Sequence, residues 1–302
     1  MPAQPLRVAH APAKVNLLLA ITAVRPDGYH ELISLVAPVA HGDTLWLALD
    51  PGAPPGAADT LQCDTPGVPT DASNLVLKAT AAYRASYPRL PRAHYILQKR
   101  IPHGAGLGGG SSDAVAALRL LNEVTGQRLS FGELVTLSAR LGSDCPLFLH
   151  NAPLVMRGRG ERIETLPENA ITALRGRRLL LFKPAFGVVT VDAYNAMRAT
   201  PGGAAYIPAA VIENRLDAWL TAPATAPLPL YNNMENPVFE KHPALPLLLG
   251  RLETEHSLRP RMSGSGSACY AFLPETASLP AITATIRETW GDSAFICETT
   301  LA

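Results

Sequence analysis

The chain has 302 residues, enough for one large domain or two ordinary ones, and 47% are hydrophobic against 17% charged, which excludes an intrinsically disordered chain. Lys and Arg number 26 against 25 Asp and Glu, a formal charge of +1, so no broad field draws nucleic acid or an anionic membrane, and an anionic ligand has to be caught by local geometry. The cysteines Cys63, Cys145, Cys269 and Cys297 stand far apart with no Cys-x-x-Cys pair, which excludes a disulfide scaffold or zinc knuckle and reads as small apolar residues in a reducing compartment.

The N-terminal MPAQPLRVAHAPAK has no apolar core of the signal-peptide kind. The longest apolar runs, residues 15–21 (broken by Asn16) and 245–249, fall far short of the roughly 20 residues of a membrane span. A soluble cytoplasmic protein is therefore expected. Along the chain, residues 12–21 (PAKVNLLLAI) alternate Val15, Leu17, Leu19 and Ile21 onto one strand face and leave Lys14 and Asn16 together on the other. RPDGYHE at 25–31 carries a Pro-Asp-Gly turn signal. ELISLVAPV and DTLWLAL follow as two further strands with AHGD between them, and DPGAPPGAADT with residues 63–70 reads as loop.

Residues 74–87 place Leu75, Ala79, Ala82 and Tyr83 at helical spacing, and HYILQKRI is a strand leading straight into IPHGAGLGGGSSD. Beyond that stretch Ala114, Ala117, Leu118 and Leu121 recur at i, i+3, i+4, i+7, one buried face of a helix that starts near Ser111 and Ser112 and ends at Gly126. Ser130 and Glu133 form a capping box for a helix over 131–141, whose exit is GSDCPLFL. A strand pair covers 153–166, and RRLLLFKP opens a second half. The Ala- and Pro-rich region 200–230 reads as helices joined by irregular loops, with TAPATAPLPL a loop. A helix starting at Asn236-Pro237, helices over 244–255 and 281–290, and strands over 268–273 and 293–298 complete the chain, with the glycine-serine loop of PRMSGSGSACYAFLP before the first of those strands. Strands and helices intermix without strict β-α-β order, which predicts an α+β fold with a seam near residues 155–180.

The stretch 101–113 is where chemistry enters. Glycines between a strand and a helix let backbone N–H groups approach phosphate oxygens, next to the unpaired amides and positive dipole end of the helix. Ser111 and Ser112 add hydroxyls, and either suits a magnesium ion. A Walker loop needs lysine directly before the serine, where Gly110 stands. The dinucleotide fingerprint needs an acidic residue about 20 positions on at the end of a second strand, whereas Glu123 falls at a helix end. Two readings fit: a phosphate cradle, or a hinge between strand and helix. The loop Ser263-Gly264-Ser265-Gly266-Ser267 serves equally as a second wall of the same site or as a plain hairpin loop. Lys14 and Asp144 form either a reactive pair or an edge-strand lysine and a capping aspartate. Tyr29-His30 offers a ring for a planar base to stack on, or is an ordinary turn aromatic.

Three segments, PAKVNLLLAI, PHGAGLGGGSSDAVAAL and MSGSGSACYAF, resemble in order and separation the three motifs of the GHMP kinase superfamily. RPDGYHEL, GSDCPLFL, RGRGE at 157–161 and KPAFGVVT at 183–190 resemble the branch of that superfamily acting on an alcohol that carries a cytidine diphosphate group, in non-mevalonate isoprenoid precursor synthesis. The likeness spans nearly the whole chain. It implies a two-domain α+β fold, with a ribosomal-S5-like nucleotide-binding domain over 1–165, a ferredoxin-like domain over 166–302 and the active site between them. ATP and Mg²⁺ are the implied cofactors, with no nucleic-acid or membrane partner, and the chain is expected as a monomer or weak homodimer.

By the same resemblance Pro102, His103, Gly104, Ala105, Gly106, Leu107, Gly108, Gly109, Gly110, Ser111 and Ser112 would wrap the ATP phosphates, with Asn74 near the nucleotide. Asp144 would face the acceptor hydroxyl with Lys14 beside it, and no metal ligand is assigned. Asn16, Tyr29, His30, Phe186, Thr190, Gly264, Ser265 and Gly266 would form the substrate pocket, Tyr29 and Phe186 enclosing cytosine and His30 bonding its edge. An aspartate, with a pKa of about 4, is too weak a base to ionise an alcohol beforehand. It can orient the hydroxyl and take its proton late, while Lys14 stabilises the developing charge and makes Asp144 a weaker base still. The rival readings are another sugar or alcohol kinase of the superfamily, or a nucleotide-binding protein without turnover.

Overall fold

The computed structural model describes residues 6–54 and 56–302. Its residues gather into two compact units: one takes the described residues through 13 with 41–101 and 108–151, the other 14–40, 102–107 and 152–302. Two long strands, β1 (Arg7–Val24) and β2 (His30–Asp50), each contribute to both.

The first unit continues with β3 (Thr60–Cys63), α1 (Leu75–Ser86) and β4 (Arg92–Gln98). The later part of β2 pairs antiparallel with β4, from Thr44–Gln98 to Asp50–Arg92, and β3 pairs parallel with β4. Thus part of the segment read as loop is a short strand. Next come α2 (Gly109–Val124), α3 (Phe131–Ala139) and α4 (Cys145–His150). α1 forms where the pattern places it because Asn74, extended, accepts the Val76 N–H and opens the helix. α3 has both bonds of the capping box between Ser130 and Glu133. α2 starts earlier than expected, at Gly109 behind a left-handed Gly108, and it buries Ser112 to Leu118 without a break. A helix apolar on all sides belongs to the core, so the single stripe of four residues understates its burial.

ELISLVAPV and DTLWLAL are not two strands. They run through AHGD as one. A Cβ on Gly42 would lie 2.4 Å from the Ala11 carbonyl oxygen and 2.5 Å from His10 Cε1, so the glycine marks close strand approach rather than a turn. Asp43 beside it is fully buried and accepts the backbone N–H groups of Arg100 and Ile101.

The second unit continues with the hairpin β5 (Leu154–Gly158) and β6 (Arg162–Thr165), with β5 antiparallel to the early part of β2. After α5 (Glu168–Leu174) and β7 (Arg178–Lys183) comes α6 (Thr190–Ala199), which the residue pattern did not announce. Its only buried residues are Ala193 and Met197, and Val189 and Val191 are exposed, too thin a stripe to stand out. α7 (Ala209–Leu220) lies in the Ala/Pro-rich region as expected, and β8 (Tyr231–Asn232) pairs parallel with β1 at Leu18 and Leu19. Then follow α8 (Glu235–Lys241), α9 (Ala244–His256), β9 (Arg261–Met262), β10 (Cys269–Phe272), α10 (Leu279–Trp290) and β11 (Phe295–Thr300). β11-β7-β10-β9 form an antiparallel sheet of four strands. Leu180, Phe182, Cys269 and Ala271 of this sheet share a core with Leu245, Leu249 and Leu252 of α9 and Ile282 and Ile286 of α10. Among the described residues no helix is long and apolar enough to cross a membrane.

Gly42→Ala should lower the unfolding free energy by about 1–3 kcal/mol, since the exposed His10 ring can swing aside but the Ala11 carbonyl cannot yield without shifting β1. Urea denaturation of the two proteins side by side measures it, and equal midpoints would show that the strands separate freely there.

Candidate active site

The glycine-rich stretch leaves β4 at Gln98 and enters α2 at Gly109. In its first part Ala105 and Leu107 are buried anchors while His103 and Gly104 are exposed and Pro102 is half-buried. Gly106 has φ +72°, and a Cβ there would lie 2.3 Å from the Ser263 carbonyl oxygen. No other residue fits. The loop 263–267 is in turn bonded to this stretch: Ala268 donates its N–H to Ala105 O at 3.1 Å, and Ser263 Oγ donates to Gly106 O at 3.2 Å. The loop is thus packed on the glycine stretch and is not a separate hairpin.

β1 joins the same arrangement. Lys14 N–H donates to Leu107 O at 3.0 Å, and its Nζ donates to Asn16 Oδ1 at 2.6 Å. Both side chains are buried, Lys14 at 5% exposure and Asn16 at 6%. Asn16 Nδ2 donates to Ser34 Oγ, which passes a hydrogen bond on to Leu18 O. Asn16 N–H donates to Ser263 Oγ, and Tyr270 Oη donates to Asn16 O. Thr190 Oγ1 lies 2.9 Å from Ser265 Oγ, and Ser267 Oγ donates to Phe186 O at 2.6 Å. Lys183 Nζ also donates to Phe186 O, so the turn carrying that aromatic is held from two sides. Burial lowers the Lys183 pKa; its ammonium donates to the carbonyl oxygens of Pro184 and Phe186. The Phe186 ring stacks on His242, centroids 5.2 Å apart.

Tyr29 follows the Arg25–Gly28 turn, in which Gly28 N–H donates to Arg25 O. Its ring is 58% exposed with the Arg159 guanidinium 4.8 Å over it. His30 beside it is buried at 7% exposure and packed against Tyr194 and Tyr206. Burial, and then the charge of Arg198, lower its pKa and keep the ring neutral.

In the other unit Ser111 and Ser112 occupy the first turn of α2, and Asp144 is the residue before α4, where its side chain makes no cap bond. Ser111 bonds to the Cys145 thiol, whose pKa burial pushes up to about 11. The Ser112 hydroxyl is buried with no partner among the described residues. Asn74 has both side-chain groups engaged, by Val76 N–H and by Pro69 O.

Beneath α2 lies a charge cluster to which the glycine motif contributes its last residue, Asp113. Lys99 Nζ donates to Asp113 Oδ2 at 2.7 Å and to Asp43 Oδ2, all three side chains nearly inaccessible. Burial, joined by the Asp43 charge and opposed by Lys99, pushes the Asp113 carboxyl up to about 7. Among the described residues no group of three His, Cys, Asp or Glu is arranged to hold a metal ion.

Residues 74–152 match the model of the GHMP kinases N terminal domain. A 4-diphosphocytidyl-2-C-methyl-D-erythritol kinase of Solidesulfovibrio magneticus is 39% identical over 261 residues, 86% of each chain. The chain belongs to the GHMP kinase family. The crystal structure of a 4-(cytidine 5'-diphospho)-2C-methyl-D-erythritol kinase superposes with a TM-score of 0.74 at 31% identity, covering 98% of this chain and 100% of that one. A homoserine kinase from Cytophaga hutchinsonii superposes with a TM-score of 0.71 at 17% identity over 98% and 95% of the two chains, and so shares the fold. This GHMP kinase therefore has the α+β fold its three motifs implied. The residues given no role from sequence are Lys99, Asp43, Asp113, Tyr194, Tyr206 and Arg159, although Asp113 closes the glycine motif and Arg159 lies in RGRGE.

Two outcomes test the site. Ser112→Ala should leave stability unchanged or slightly higher, because it removes a buried hydroxyl without a partner, while the KM for ATP rises several-fold; thermal melting and steady-state kinetics on one preparation separate the effects. For Asp113, a folded pKa of about 7 above the usual carboxylate value means that the folded chain keeps a proton the unfolded chain has lost. Stability should thus decline as pH rises from about 4 to 7, and Asp113→Asn should remove that part of the slope in urea melts.

Proposed function

We propose that the chain transfers the terminal phosphoryl group of ATP to the 2-hydroxyl of 4-diphosphocytidyl-2-C-methyl-D-erythritol, giving the 2-phosphate and ADP in the non-mevalonate route to isoprenoid precursors. It is an ATP-dependent phosphotransferase acting on an alcohol. The observation that carries the substrate is the division of identities. Full-length relatives bearing that kinase name reach 39% and 31%, while a homoserine kinase with the same fold stands at 17%. Among rivals within the family, this favours the cytidine diphosphate substrate.

In this reading the amides of residues 104–112 cradle the phosphates without a lysine of their own. Ser112, with its unpartnered buried hydroxyl, and Ser111 would hold the magnesium ion that accompanies ATP, supplying positive charge to the β- and γ-phosphate oxygens. Asp144 orients the acceptor hydroxyl and accepts its proton as the transferred group arrives, and Lys14, fixed by Asn16, stabilises the charge that develops. Tyr29 and Phe186 enclose the cytosine, His30 bonds its edge, and Thr190 with Gly264, Ser265 and Gly266 lines the rest of the pocket. Asn74, the cap of α1, lies near the nucleotide. Residues 1–165 serve as the ribosomal-S5-like nucleotide-binding part. Residues 166–302 serve as the ferredoxin-like part, a reading supported by the antiparallel four-stranded sheet packed with α9 and α10. The cytoplasm, where ATP is made, is its place of action.

Labelled ATP offered with this substrate, homoserine and mevalonate in parallel should label the first alone; labelling of either other alcohol in its place refutes the assignment. ATP binding with no transfer to any of the three would favour a protein that has lost turnover. Asp144→Asn should lower kcat about 10²–10⁴-fold with little change in substrate KM, whereas Tyr29→Ala should mainly raise that KM, by about tenfold.

A further inference from the structure

We infer that Tyr206 is a positioning residue that fixes which ring nitrogen of His30 carries the proton, and so lets the pocket tell cytosine from uracil. The inference rests on the reading of His30 as the residue facing the base edge. Tyr206 lies in the Ala/Pro-rich stretch that no family motif covers.

Cytosine offers an exocyclic amino donor beside a ring-nitrogen acceptor; uracil offers the reverse, a carbonyl acceptor beside a ring N–H donor. A neutral imidazole has one donor and one acceptor nitrogen. If its tautomer is fixed, the nitrogen toward the base has a single polarity, which suits one of the two cytosine groups and opposes the corresponding uracil group. An imidazole free to exchange its proton adapts to both bases. An imidazolium donates from both nitrogens and welcomes the uracil carbonyl. Discrimination by histidine therefore needs a ring that is neutral, held in place and restricted to one tautomer.

The surroundings of His30 meet each need. The ring is buried, with Tyr194 at 4.5 Å between centroids and 30° between planes, and Tyr206 at 6.0 Å and 20°. Arg198 donates to Gly28 O two residues away, a fixed positive charge that disfavours a second one on the imidazole. Tyr206 Oη lies 3.3 Å from His30 Nε2. With Nε2 engaged by Tyr206, Nδ1 is the nitrogen that the proposed reading of His30 turns to the base. Tyr206 itself is anchored on both sides: Asn233 Nδ2 donates to Ala205 O at 2.8 Å, and Ile207 N–H donates to Ile21 O on β1. A phenol O–H is a stronger acid than a neutral imidazole N–H, so the hydroxyl donates and Nε2 accepts, which puts the ring proton on Nδ1.

Tyr206→Phe keeps the ring and removes the hydroxyl. Calorimetric titration of the intact chain with CDP and with UDP reads the preference without turnover, and nitrogen NMR of histidine-labelled protein reads the tautomer. The wild type should favour CDP and show His30 as one neutral tautomer. In Tyr206→Phe the preference for CDP should fall by about tenfold and the His30 signals should move to an exchanging mixture, with melting temperature and KM for ATP unchanged. An unaltered preference with an unaltered tautomer in the variant overturns the inference while leaving the pocket reading intact. A wild-type His30 already exchanging between tautomers overturns it without any variant. A wild type indifferent to CDP and UDP removes the cytosine pocket itself, and the inference with it.

Discussion

The second unit is organised by a contact that contains almost no side chain. Gly106 presses its Cα side against the Ser263 carbonyl, and Ala268, Ser263 and Lys14 complete the seam with hydrogen bonds to Ala105, Gly106 and Leu107. Two backbones at this distance leave no room for adjustment, so the glycine loop, the 263–267 loop and β1 hold their positions together or not at all. That rigidity suits phosphoryl transfer, in which alignment of the phosphates contributes more than any strong base. A flexible lysine-bearing loop would supply charge but not the same fixed array of N–H donors.

Asn16 gives the seam its polar centre. Its side chain accepts from Lys14 and donates to Ser34, its N–H meets Ser263, and its carbonyl oxygen accepts from Tyr270. A buried ammonium is tolerable only when its hydrogen bonds are met, and a buried amide only when both ends are used. The chain from Lys14 through Asn16 and Ser34 to Leu18 O satisfies most of these in order. Satisfied networks of this kind restrict a side chain to one rotamer, and that of Lys14 is held by Asn16.

Legibility in the sequence followed the range of the interactions. α1 and α3 were readable almost to the residue because Asn74, Ser130 and Glu133 cap them through bonds spanning two or three positions. β2 was misread at AHGD because what requires Gly42 is a strand some 30 residues earlier in the chain, and a glycine chosen for close approach has the same letter as one chosen for a turn. The glycine loop was legible as a loop, yet its partner loop needed the structure, since Gly106 and Ser263 are distant in sequence. The setting of His30 was invisible for the same reason: Tyr194 and Tyr206 come from a helix and a connecting segment with no pattern of their own.

Lys99 shows how charge can mislead when position alone is considered. It stands just ahead of the glycines, its Nζ would lie 3.2 Å from a Cβ on Gly109, and a phosphate-binding lysine is an obvious reading. Yet its ammonium is shared between Asp43 and Asp113, two carboxylates in a site sealed from water. One positive charge between two acids presents no net attraction to an incoming phosphate, and drawing it away would leave buried carboxylates uncompensated, at a cost of about 3–5 kcal/mol. Lys99 therefore belongs to the foundation of α2. With it committed there, the first turn of that helix has only its peptide dipoles, its free N–H groups and the two serine hydroxyls to offer an anion. On the proposed reading, a loop built this way would bind phosphate by direction more than by charge, and the balance of charge would come in with the nucleotide's own cation.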